Sequence, residues 1–116
     1  MIMKTLVISP GFFNEESIKV FSEMGTVVKI KTDGNLRDNV LKVISEFDIV
    51  AVKVDFVLDR KILEEAKNLK VIASATTGTD HIDMKYVKER GIKVIFLEGA
   101  NTEATAEYVF ALLLSL

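Results

Sequence analysis

The 116 residues carry 15 lysines and arginines against 17 aspartates and glutamates, and no stripe gathers the cations, which excludes a nucleic-acid-binding surface. Cysteine is absent and histidine occurs once, so disulfides, thiolate metal sites and histidine-cluster metal sites are excluded. No apolar run reaches the ~20 residues of a spanning helix, and Met1 to Ile8 lacks a basic n-region and a small-residue cleavage site, so the expectation is one cytoplasmic domain with no membrane contact.

Leu6-Val7-Ile8 is a short apolar run stopped by Ser9-Pro10-Gly11, which predicts a central strand and a turn. Asn14 is placed to cap a helix with Glu15 and Glu16 in its first turn, where carboxylates suit the helix dipole. Ile18, Phe21 and Met24 share one face of it, and Gly25 ends it. A second strand is predicted over Thr26 to Ile30, followed by a turn at Asp33-Gly34. A helix then runs from about Leu36 to Phe47, with Leu36, Val40, Ile44 and Phe47 as its buried stripe. Asp48-Ile49-Val50-Ala51-Val52 is apolar after its first residue, as a strand covered on both faces must be, and it ends at Lys53-Val54-Asp55. Asp59 caps a short helix through Ile62, Leu63 and Ala66.

Lys70-Val71-Ile72-Ala73-Ser74 reads as a fourth strand, and it runs into Ala75-Thr76-Thr77-Gly78-Thr79-Asp80-His81-Ile82-Asp83. Small hydroxyl residues and a glycine at a strand exit let a ligand come close to the backbone at Gly78 and aim N–H groups at an anion. The plainer reading is that Gly78 serves a tight turn and Asp80 caps the helix that follows, Met84 to Arg90, closed by Gly91. Ile92 to Phe96 is the fifth strand, Leu97-Glu98-Gly99-Ala100-Asn101 the loop after it, and Asn101 or Thr102 the cap of a last helix. Ala106, Val109, Phe110, Leu112, Leu113, Leu114 and Leu116 make that helix apolar nearly all round, so it expects cover from further chain or from a partner.

Five strands alternating with helices predict an α/β fold, a flavodoxin-like, doubly wound parallel five-stranded sheet of order 2-1-3-4-5. In such sheets ligands bind beyond the carboxyl ends of the strands. Those ends carry Ser9 to Gly11, Lys53, Thr76 to Asp80, and Glu98 to Asn101, a plausible seat for a small carboxylate. A receiver domain needs acidic residues where this chain has Ser9-Pro10 and Lys53. A flavodoxin needs its hydroxyl-and-glycine loop after the first strand, whereas here it follows the fourth. No G-x-G occurs, so the chain carries no dinucleotide fingerprint.

Three motifs in order carry a family resemblance: Ile72 to Asp83, then Glu89-Arg90-Gly91-Ile92-Lys93-Val94, then Ala100-Asn101-Thr102-Glu103-Ala104-Thr105-Ala106-Glu107-Tyr108 before an apolar helix. Together they resemble the D-isomer-specific 2-hydroxyacid dehydrogenases, specifically so from about Leu69 onward. The resemblance implies an NAD- or NADP-dependent oxidoreductase that transfers a hydride to or from a small D-2-hydroxy acid or 2-keto acid. It implies residues 1–100 as a substrate-binding domain and 101–116 as the start of a helix that crosses to a nucleotide-binding domain and helps build a homodimer. On this view the family's catalytic arginine, glutamate and histidine, and the seat for NAD or NADP, lie outside these residues, and the chain by itself is inactive.

Residue by residue, the resemblance places the substrate carboxylate on the amides of Thr77 and Gly78. Asn101 stands beside substrate and nicotinamide, and Lys53 faces the cleft from the end of strand three. His81 falls where relatives carry asparagine or histidine beside the glycine turn, and is read as structural. Tyr108 stands where the family usually has histidine, and Glu98 where it often has proline or a small residue. The reading from another class is a non-catalytic ligand-binding or protein-interaction module of the same fold.

Overall fold

The computed structural model describes residues 3–8, 15–53, 55–74 and 78–96, with 16, 17, 20 and 96 in backbone only. The described elements alternate as the sequence pattern requires. They are β1 (Met3–Val7), α1 (Glu15–Glu23), β2 (Gly25–Lys29), α2 (Leu36–Val43), β3 (Ile49–Val52), α3 (Arg60–Glu65), β4 (Val71–Ser74), α4 (Met84–Arg90) and β5 (Lys93–Phe96). The strands form one sheet in the order β2-β1-β3-β4-β5, and every pairing is parallel.

Alternation along the strands divides the core in two. Leu6, Val50, Val52 and Ile72 face one side, where Val40 and Ile44, Ile62 and Leu63, and Val87 bring α2, α3 and α4 against the sheet. Met3, Val7, Ile49, Ala51, Val71, Ala73 and Ile95 face the other, packed with Phe21 and Met24 from α1 and its end. All of β3 and β4 is therefore buried, which explains their uninterrupted apolar runs. Helices on both faces make the sheet doubly wound, as expected.

Local differences from the sequence expectation have physical causes. The helix starting at Leu36 ends at Val43, and Ile44–Glu46 tighten into a single 3-10 turn closed by the Phe47 N–H on the Ile44 carbonyl at 3.2 Å. The apolar stripe survives because Ile44 and Phe47 stay buried in either geometry, and the Asn68 carboxamide donates to the Ser45 carbonyl at 2.8 Å. The start of α2 is capped by Asn35, whose side chain accepts the Asp38 N–H. Gly25 opens β2 rather than only ending a helix. Its φ of 149° and its closeness to Met3 leave no room for a side chain, since a Cβ there would collide with the Met3 carbonyl.

The amino ends of the strands are tied together at Asp48. Its carboxylate accepts the Lys4 N–H at 2.9 Å and the Lys70 ammonium at 2.7 Å, while its backbone bonds to Lys4 and Lys70. The predicted cap at Asn14, the turn at Ser9-Pro10-Gly11 and the apolar helix after Asn101 lie outside the described residues.

Candidate functional site

The opposite, carboxyl ends of the strands form the candidate site. Val52 pairs with Ser74, so the exits of β3 and β4 stand side by side and Lys53 emerges, half-buried, next to the start of the connection that leads to Gly78. Among the predicted substrate residues the structure thus places Lys53 and Gly78 at the same end of neighbouring strands, whereas Thr77 and Asn101 lie outside the described residues.

Gly78 is exposed, and a Cβ built on it would meet no atom of the described residues within 4 Å. Among the described residues the packing makes no demand for glycine here, in contrast to Gly25. The open space is where a bound group could approach the backbone. Downstream, the Ile82 N–H donates to the Thr79 carbonyl at 2.9 Å, closing a turn. The helix cap is Asp83, whose carboxylate accepts the Tyr86 N–H at 3.1 Å; Asp80 is exposed and does not cap α4.

The segment is pinned from two directions. Leu58, in the connection between β3 and α3, donates its N–H to the His81 carbonyl at 2.7 Å and accepts from the Asp83 N–H at 3.0 Å, forming a parallel bridge with Ile82. The His81 ring turns inward, 4% exposed, and its Nε2 lies 2.8 Å from Oγ of the fully buried Ser74. The ring's Nδ1 has no hydrogen-bond partner among the described residues.

Burial pushes the His81 imidazole below its ordinary 6.5, against a smaller upward pull from the Asp80 and Asp55 carboxylates, so the ring is neutral at pH 7. A buried N–H without an acceptor is rarer than a bare acceptor, so with no Nδ1 partner among the described residues the proton is assigned to Nε2, which then donates to Ser74. The structural role expected for His81 fits this arrangement. Sequence reading overlooked Ser74; the available signal was a hydroxyl closing an otherwise apolar strand, seven positions ahead of the sole histidine.

The described residues include no group of three or more His, Cys, Asp or Glu side chains able to hold a metal ion, and no helix long and apolar enough to cross a membrane. A groove of about 410 Å³ lies elsewhere, between β2 and α2, with Lys29, Lys31 and Lys42 around Val28 and Val43. It is separated from β4 by β1 and β3. None of the six glycines stands in a G-x-G, the spacing of the dinucleotide-binding fingerprint.

Comparison with known proteins agrees with this architecture. The chain is 35% identical over 113 residues to D-3-phosphoglycerate dehydrogenase of Archaeoglobus fulgidus, covering 97% of this chain and 21% of that one. It is 39% identical over 79 residues to hydroxypyruvate reductase of Thermotoga maritima, covering 68% of this chain and 26% of the relative. It thus spans about a fifth to a quarter of the length of these relatives. The crystal structure of NAD+-bound 3-phosphoglycerate dehydrogenase from Entamoeba histolytica superposes with a TM-score of 0.72 at 27% identity, over 85% of this chain and 34% of that one. Residues 6–112 match the family model described as D-isomer specific 2-hydroxyacid dehydrogenase, catalytic domain, and the chain belongs to that family.

Proposed function

We propose that this chain is the substrate-carboxylate-binding part of an oxidoreductase that moves a hydride between a nicotinamide cofactor and C2 of a small D-2-hydroxy acid or 2-keto acid. The family membership supports the reaction class. The observation that carries the binding role is Gly78, an exposed glycine at a strand exit with no described residue within 4 Å of where a side chain would stand. In this reading the amides of Thr77 and Gly78 hold the carboxylate, Lys53 adds positive charge from the β3 exit, and Asn101 lies toward the nicotinamide side. Residues 1–100 act as the substrate-binding domain. Residues 101–116 begin the helix that leads to a nucleotide-binding domain and to a homodimer partner, which would cover its apolar surface. NAD or NADP is held by residues outside this chain and supplies or accepts the hydride. What these residues contribute is binding, orientation and one wall of a cleft that excludes water.

The test is a pair of NMR titrations of the 116-residue chain, with glycolate and with NADH, alongside the Gly78→Ala variant. Glycolate should shift the Gly78 and Thr79 amides while NADH shifts nothing, and no D-2-hydroxy acid should be oxidised by the chain alone. Gly78→Ala should leave stability unchanged or raise it by up to about 1 kcal/mol, because alanine restricts the unfolded chain. It should nonetheless weaken glycolate binding by roughly tenfold or more, by filling the space the carboxylate needs. Tight NADH binding would mean the wrong half has been assigned. Indifference to both ligands would favour a non-catalytic interaction module.

A further inference from the structure

We propose that His81 is a positioning residue for the Gly78 turn, holding it in register with the strand ends through the buried hydrogen bond to Ser74. The ligand-binding consequence rests on the carboxylate reading above. The geometry of the tie does not.

Gly78 lies four residues after Ser74 and three before His81. The downstream side of the turn is fixed to the β3–α3 connection by the two backbone bonds with Leu58. Those bonds alone set its position relative to β3. The Ser74–His81 bond, 2.8 Å long and shut away from water, fixes the same point to the last residue of β4. His81, three residues after Gly78, is therefore bonded through its ring to the last residue of β4 and through its carbonyl to the β3–α3 connection. A seat built from backbone amides cannot adjust by rotating a side chain, so its precision comes from how firmly the backbone is held.

The choice of histidine supports a positive role. A ring whose second nitrogen has no partner among the described residues is a worse core residue there than leucine of similar size. Its neighbours Ile82 and Leu58 are apolar and buried, and among the described residues Ser74 is the polar group it meets. The imidazole is there for the bond that Nε2 makes. Being neutral, it adds no charge of its own to the turn and leaves attraction of an anion to the amides and to Lys53.

Ser74→Ala removes the acceptor with the smallest change of volume, and His81→Gln keeps a donor at about the depth of Nε2. Amide hydrogen exchange and glycolate titration of the 116-residue chain read both variants. In Ser74→Ala the protected Nε2–H signal of His81 should disappear and the hydrogen-bonded Ile82 and Asp83 amides should exchange about tenfold faster, while β1 and β3 amides keep their protection. Glycolate affinity should fall by about tenfold, as a displaced seat requires. His81→Gln should hold both values near those of the parent chain, and His81→Leu should lose them with the sheet intact. Unchanged exchange at Ile82 and Asp83 in both Ser74→Ala and His81→Leu would overturn the proposal. If the parent chain binds no glycolate while exchange at Ile82 and Asp83 still rises in Ser74→Ala, the carboxylate reading fails and the positioning role stands.

Discussion

Thr5 sits at the middle of β1, between Val27 of β2 and Ile49 of β3, and alternation with Met3 and Val7 turns it toward the α1 face. It is fully buried, and its Oγ1 finds no hydrogen-bond partner among the described residues. Threonine suits a strand through its branched Cβ, but an unsatisfied hydroxyl in the interior costs about 1–3 kcal/mol. Thr5→Val keeps the branching and removes the penalty, so it should raise the unfolding free energy by about 1 kcal/mol in urea titrations. A loss of stability would mean the hydroxyl is satisfied in solution, for instance by a buried water.

At the scale of elements, α3 shows how a helix too short to stand alone is held at both ends. It has six residues, below what is stable in isolation. Its start is capped by Asp59, which accepts the Ile62 N–H at 3.1 Å and pairs through both carboxylate oxygens with Arg37 of α2 at 2.9 and 3.2 Å. Its end is capped from another helix. The Arg90 guanidinium in α4 donates to the Leu63 carbonyl at 2.6 Å and to the Ala66 carbonyl at 2.8 Å, with Tyr86 beneath it. Two such bonds need the planar fork of arginine, which a lysine cannot reproduce. Arg90→Lys should therefore lose much of what Arg90→Ala loses, about 1–3 kcal/mol in denaturant unfolding. A lysine variant as stable as the parent would show that the charge near the helix end matters and the bidentate geometry does not.

Across the whole molecule, stability should depend on pH through the groups whose titration folding shifts. Burial holds the His81 imidazole below its ordinary 6.5. Between that value and the lower folded one, the unfolded chain binds a proton that the folded chain refuses, so stability is full above 6.5 and falls as pH drops through this window. Asp59 acts in the same direction further down, because the Arg37 hydrogen bond keeps its carboxyl below 3.8 and its contribution is lost only as pH falls beneath that. The melting temperature should thus decline from pH 7.5 to pH 5.5 in the parent chain, and the decline should be shallower in His81→Gln. Equal slopes would show that another group titrates in this range.

How much of this was legible in the sequence follows from how local each feature is. The sheet order was accessible because β3 and β4 announce burial on both faces in four consecutive residues each. The break after Val43 was not, since a stripe of Leu36, Val40, Ile44 and Phe47 fits an α-helix as well as an α-helix followed by a 3-10 turn. Asp80 and Asp83 both precede α4, and the path of the loop decides between them. The Ser74–His81 contact lies deeper still, because it depends on how that loop folds back and no periodicity encodes it.

The spacing of the strands bears on how the chain finds its fold. Met3 pairs with Gly25, Ile49 with Val71 and Val71 with Lys93, each 22 positions apart, while Thr5 and Ile49 are 44 apart. No two of the described strands are joined by a hairpin, so each addition to the sheet must close a loop before it gains a ladder, and such topologies fold slowly for their size. The widest closure joins β1 to β3, and until it forms, β1 has one edge unpaired although it belongs in the interior. During synthesis β1 and β2 can meet long before β3 exists, leaving the apolar Leu6-Val7 edge exposed to whatever other chains are nearby. A sheet whose β3 and β4 are buried on both faces when complete therefore passes first through a state in which β1 has an open edge.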